Sequence, residues 1–169
     1  GSAAIELALR ALDIRRGEEV IVPPYTFIST VTSVLMVGAV PVFADIDETL
    51  CLSPEAVEAA LTPATKAVVP VHMCGAMARI DEIKTLCDGK GLILLEDACQ
   101  SVGATFRDKA LGSFGKAGCF SFDPVKTITC GEGGAIISDS AELYRLADAY
   151  GDHGHDHIGD DRGLEGHPI

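Results

Sequence analysis

Residues 92–100 read Leu92-Ile93-Leu94-Leu95-Glu96-Asp97-Ala98-Cys99-Gln100, four apolar residues running without a break into two adjacent acids. A strand with one face in water alternates apolar and polar side chains, whereas a strand covered on both faces shows a continuous apolar run. The same signature recurs in Val20-Ile21-Val22, Val40-Pro41-Val42-Phe43, Ala67-Val68-Val69-Pro70-Val71, Cys119-Phe120-Ser121-Phe122 and Ala135-Ile136-Ile137. These runs start about 16 to 28 residues apart, which leaves room for a helix in each crossover and suits parallel pairing. The chain therefore reads as an α/β layer fold.

Local signals place helices between the runs. In residues 2–12, Ala3, Leu7 and Ala11 recur at helical spacing with Glu6 and Arg10 turned outward. At Ser53-Pro54-Glu55-Ala56 the serine can cap, proline suits the first helical position and an acid favours the first turn. Residues 80–88 and 140–150 complete the predicted set, with the Gly-rich segments 101–116 and 151–169 expected to form loops or hairpins.

Composition narrows the function. The chain has 169 residues and a formal charge of −12, which argues against nucleic acid or an anionic membrane as partner, since both call for a basic face. An apolar fraction of 47% against 22% charged residues fits a chain with a large core. The six cysteines include no C-x-x-C pair and several lie in apolar runs, so free buried thiols are expected, in keeping with a cytoplasmic location. No apolar run approaches the ~20 residues of a membrane span.

In open α/β sheets a ligand sits beyond the carboxyl ends of the strands. Three polar stretches follow apolar runs there: Glu96-Asp97-Ala98-Cys99-Gln100, Ser121-Phe122-Asp123-Pro124-Val125-Lys126 and Pro23-Pro24-Tyr25-Thr26-Phe27. An acid, a hydroxyl with a nearby lysine, and an aromatic on one rim match the needs of pyridoxal phosphate, which takes a Schiff-base lysine and an acid beside its pyridinium nitrogen. A Rossmann oxidoreductase is excluded because no G-x-G-x-x-G follows the first strand. The turn Thr129-Cys130-Gly131-Glu132-Gly133-Gly134 is not a phosphate loop of the Walker kind, since no lysine follows its glycines. No metal is read from residues 152–157, because alternating His and Asp in a glycine-flanked loop fix no coordination geometry.

GSAAIELAL, GEEVIVPPYTF, GAVPVFADID, TKAVVPVH, EDACQSVGA and GCFSFDPVKTITCGEGGAIISD, taken in this order, resemble the DegT/DnrJ/EryC1/StrS family of pyridoxal-phosphate-dependent sugar aminotransferases. The pairing of EDAxQ with FSFxxxK is the specific part. The resemblance implies a three-layer α/β/α sandwich with a mostly parallel central sheet. It assigns residues 1–150 to part of a cofactor-binding large domain and residues 151–169 to a His/Asp/Gly-rich loop or truncated tail of a longer chain.

Carried over by position, Lys126 is the Schiff-base lysine and general base, and Asp97 faces the pyridine nitrogen. Gln100 contacts the cofactor ring, Phe27 stacks on it, and Ser121 with the amides of Gly1, Ser2 and Ala3 takes the phosphate. The activity implied is amino transfer from glutamate to a keto-sugar, nucleotide-linked or belonging to lipopolysaccharide, in a homodimer. Arg79, Arg107 and Arg162 are candidate contacts for an anionic substrate. Two other readings are a truncated, non-catalytic cofactor-binding or interaction domain and a pyridoxal-phosphate sugar dehydratase. Lys126 speaks against the second, since family dehydratases have histidine there.

Overall fold

Along β1 (Glu19–Val22), Val20 and Val22 enter one buried cluster while Ile21 enters another. Successive strand side chains point to opposite faces, so the sheet is covered on both sides at its centre, while Val40, Phe43 and Ile137 at its edges are exposed. The structure, a computed structural model, describes residues 1–155. In chain order its elements are α1 (Ser2–Ala11), β1, α2 (Ser29–Met36), β2 (Val40–Phe43), α3 (Pro54–Ala60), β3 (Thr65–Val68), a 3-10 turn (Met73–Gly75), α4 (Ile80–Lys90), β4 (Ile93–Asp97), β5 (Thr105–Phe106), β6 (Lys109–Ala110), β7 (Ala117–Ser121), β8 (Gly134–Ile137) and α5 (Ala141–Gly151). Six strands form one sheet in the order β2-β1-β3-β4-β7-β8, while β5 and β6 make a small antiparallel hairpin inside the 101–116 loop.

The helices divide by face. Ile5 and Leu9 of α1, Val34 of α2 and Leu143 of α5 pack with Val20, Val22, Leu95 and Cys119. On the other side Val57 of α3 and Ile80, Ile83 and Cys87 of α4 pack with Ile21, Val68 and Leu94. This is the α/β/α sandwich expected from the sequence.

Two features differ from the sequence reading. The segment 29–36, given no helix, forms α2 although Thr30, Val31, Thr32 and Val34 are β-branched and no side chain caps its start. Weak helix propensity is overridden here because Val34 docks into the core and the β1–β2 crossover must pass over the sheet. The second difference is direction: β8 runs antiparallel to β7, since the 122–133 connection folds as turns and offers no crossover helix.

The cap at α3 is as expected. The Ser53 hydroxyl accepts from the Ala56 N–H at 3.3 Å, with Pro54 following it and Glu55 in the first turn. Ser53→Ala is expected to lower stability by about 1 kcal/mol, measured as the shift in urea unfolding.

Candidate active site

Glu96 and Asp97 are neighbours on β4 and therefore point to opposite faces. The backbone of Asp97 is pinned by its N–H to the Pro70 carbonyl (2.9 Å) and by the His72 N–H to its own carbonyl (3.1 Å). Asp97 as a whole is 4% exposed. Oδ1 accepts from the Cys99 N–H at 3.1 Å, and Oδ2 accepts from the Thr30 hydroxyl at 2.7 Å. Neither donor is a cation, so the buried carboxylate keeps acceptor capacity for a positively charged ring N–H.

On the other face, Glu96 is fully buried and saturated. Oε1 accepts from the Phe114 and Gly115 N–H groups (2.5 and 2.7 Å), and Oε2 from the Gly112 N–H at 2.8 Å and from His72 Nε2 at 3.0 Å. Because the Ala78 N–H donates to His72 Nδ1 at 3.3 Å, the imidazole proton sits on Nε2 and points at the carboxylate. Thus one acid is consumed by the fold and its neighbour is left available.

At the end of β7, Ser121 is 4% exposed and lies against the start of α1. A methyl on Gly1 would stand 2.9 Å from both Ser121 Cβ and Cys99 Sγ, so only glycine allows this approach. The first turn of α1 holds no acid and Gly1 offers no side-chain cap, which leaves amides at a positive helix end beside the Ser121 hydroxyl. From Ser121 the chain turns tightly. The Asp123 N–H reaches the Ser121 hydroxyl at 3.4 Å, the Val125 N–H donates to Asp123 Oδ1 at 3.1 Å, and the Lys126 N–H donates to the Asp123 carbonyl at 3.0 Å.

Lys126 is half-buried. Burial pushes the Cys99 thiol up, Asp97 adds to the rise, and the Lys126 ammonium opposes it. Cys99 thus sits beside the acid, its N–H on Asp97 Oδ1, and its sulfur lies against Gly1, as the Ser121 side chain does. Acid, hydroxyl and helix start lie at the carboxyl ends of β4 and β7, and the turn that leaves Ser121 carries Lys126.

The remaining candidates are spread around this centre. Phe27 is 63% exposed on the loop after β1. Gln100 is turned toward the 3-10 turn, its Oε1 accepting from the Cys74 N–H at 2.9 Å. Ser2 and Ala3 are exposed in the first turn of α1, and Glu132 is exposed beside Gly133, whose carbonyl accepts from Gly1 N at 3.2 Å. The arginines do not gather here. Arg79 is engaged by Glu55 and Glu82, and Arg107 pairs with Asp81 at 3.2 Å and lies over the Phe106 ring. Arg162 lies outside the described residues, as do 156 and 157 of the His/Asp stretch.

Thr30 and His72 are absent from the sequence reading. The separation of Thr30 from Asp97 by 67 positions gives no local signal, although the threonines at 26 and 30 sit one helical turn apart. All six cysteines are free, but Cys74 and Cys130 are exposed and not buried as expected. Burial pushes the Cys87 thiol up to about 12.

The sequence profile of the DegT/DnrJ/EryC1/StrS aminotransferase family matches residues 1–167. The chain belongs to that family. It is 48% identical over 146 residues to the L-glutamine:2-deoxy-scyllo-inosose aminotransferase of Streptomyces kanamyceticus, covering 86% of this chain and 34% of that relative. It is 46% identical over 156 residues to the UDP-N-acetyl-3-dehydro-alpha-D-glucosamine 3-aminotransferase of Acidithiobacillus ferrooxidans, covering 91% of this chain and 42% of that protein. The crystal structure of NtdA from Bacillus subtilis with bound cofactor PMP superposes with a TM-score of 0.90 at 34% identity, covering 96% of this chain and 37% of that one. The chain thus spans well under half the length of these family members. Among the described residues no helix is long and apolar enough to cross a membrane.

Proposed function

We propose that this chain forms the cofactor-binding part of a pyridoxal-phosphate-dependent aminotransferase that delivers an amino group to a ring ketone of a polyhydroxylated substrate. The placement of Asp97, Ser121 and the α1 start at the carboxyl ends of β4 and β7, with Lys126 on the turn that leaves Ser121, carries this reading. The two curated relatives support the substrate class, one named for a keto-inositol and the other for a nucleotide-linked keto-sugar. The proposed donor is glutamine or glutamate; the first relative is named for glutamine.

Bound pyridoxal phosphate supplies the electron sink for the carbon that exchanges its proton. In this reading Asp97 accepts the ring N–H, and Ser121 with the amides of Ser2 and Ala3 takes the phosphate. Phe27 and Gln100 would line the ring. Lys126 Nζ would tether the cofactor and, once displaced by the amine of the donor, would move the proton at the substrate carbon. A homodimer belongs to the same reading. Phe27 and Ile28 at 63% exposure, with Val125 at 86% and Ile128 at 53%, leave an apolar surface on the segments that carry the site.

The test is direct. Full-length protein mixed with pyridoxal phosphate is expected to develop an absorption band at roughly 400–430 nm, as the tethered cofactor does in general. Borohydride reduction and peptide mass spectrometry are then expected to find the cofactor on Lys126. No band, or a label on another lysine, overturns the assignment.

A further inference from the structure

We infer that Thr30 and Thr26 form a hydroxyl relay that sets the orientation of Asp97 and ties it to the loop carrying Phe27. Thr30 is completely buried, and its hydroxyl is 2.7 Å from Asp97 Oδ2. A carboxylate can only accept, so Thr30 donates. That leaves the lone pairs of the Thr30 oxygen for the Thr26 hydroxyl 2.8 Å away, which fixes the direction of the chain as Thr26 to Thr30 to Asp97. Hydrogen bonds in series polarise one another, and a bond to a charged acceptor is stronger than a neutral one.

The relay's position gives it a consequence for the site. Thr26 and Thr30 flank Phe27 in sequence, and the Thr30 N–H closes on the Phe27 carbonyl at 3.2 Å. With Oδ1 held by the Cys99 amide and Oδ2 by Thr30, the carboxyl plane cannot rotate without breaking one of the two bonds. A single turn at the start of α2 therefore sets both the plane of the acid and the loop of the aromatic. Thr30 and Thr26 are positioning residues, and their role rests on Asp97 being the acid that meets the cofactor ring.

The experiment measures the dissociation constant of pyridoxal phosphate for the full-length protein by equilibrium dialysis. Thr30→Val keeps the shape and removes the hydroxyl, and is expected to weaken binding about tenfold, the size of one hydrogen bond to a charged group. Thr30→Ser keeps the hydroxyl and removes a methyl, and is expected to stay within about twofold of the parent. Thr26→Val is expected to fall between them. A packing role predicts the reverse order, with serine worse than valine, and that order overturns the relay. Should the valine variant fail to fold, Thr30→Ala against Thr30→Ser makes the same comparison. Asp97→Asn is the control: if it leaves binding unchanged, the reading of Asp97 itself fails. If it weakens binding while Thr30→Val does not, the relay alone is wrong.

Discussion

Lys126→Ala in the full-length protein is expected to lower kcat for amino transfer by about 10³-fold or more, the range in which a positioned proton-transfer group and a covalent tether contribute together. The turn from Ser121 to Lys126 is set by three backbone N–H bonds, to the Ser121 hydroxyl, the Asp123 carboxylate and the Asp123 carbonyl, so the lysine backbone is placed independently of its side chain. Removing Nζ leaves that turn, Asp97 and the α1 start intact. Dialysis is therefore expected to show residual cofactor binding without the absorption band. Lys126→Arg should be as inactive as alanine, because a guanidinium stays charged and offers no free amine. Activity within tenfold of the parent in either variant would remove Lys126 from the chemistry.

The parts of this molecule legible in its sequence share one property, that their signal is local. A run such as Leu92-Ile93-Leu94-Leu95 states that both faces of a strand are covered, and Ser53-Pro54-Glu55 states where a helix starts. The two clusters that Val20 and Ile21 enter bear out the first for the inner strands, whereas the edge strands β2 and β8 leave Val40, Phe43 and Ile137 exposed despite the same apolar run; the hydroxyl bond to Ala56 bears out the second. What the sequence concealed depends on distant partners. The helix at 29–36 is specified by its packing over the sheet against its own β-branched preference. Arg79 looked available for an anionic substrate until Glu55 from α3, 24 positions away, was brought to it beside its near neighbour Glu82. In the EDACQ stretch the resemblance names Asp97, whereas the residues by themselves do not separate it from Glu96, and strand alternation alone assigns the two to different faces. Only the His72 and loop amide partners, brought from 72 and 112–115, reveal that Glu96 serves the fold.

That division makes Glu96 the second decisive position. Its carboxylate carries four donors in a fully buried setting, three of them backbone amides of the 112–115 segment that crosses from the β5–β6 hairpin to β7. Glu96→Ala strands those amides and the Nε2–H of His72 at once. Removing one partner from a buried charged network costs about 3–5 kcal/mol, a large share of the roughly 5–15 kcal/mol that holds a domain together. Glu96→Gln retains one oxygen but turns an NH₂ toward amides that also donate, so it is expected to cost about 2 kcal/mol or more. Native-state hydrogen exchange reads the effect where it arises. Protection of the Gly112 and Gly115 amides in Glu96→Gln is expected to fall by about 30-fold or more, since each 1.4 kcal/mol is a factor of ten. Asp97→Asn, on the opposite face, should leave those two amides unchanged. Equal loss of protection in both variants would show that β4 responds as one unit, and the assignment of one acid to the fold and its neighbour to the site would fail.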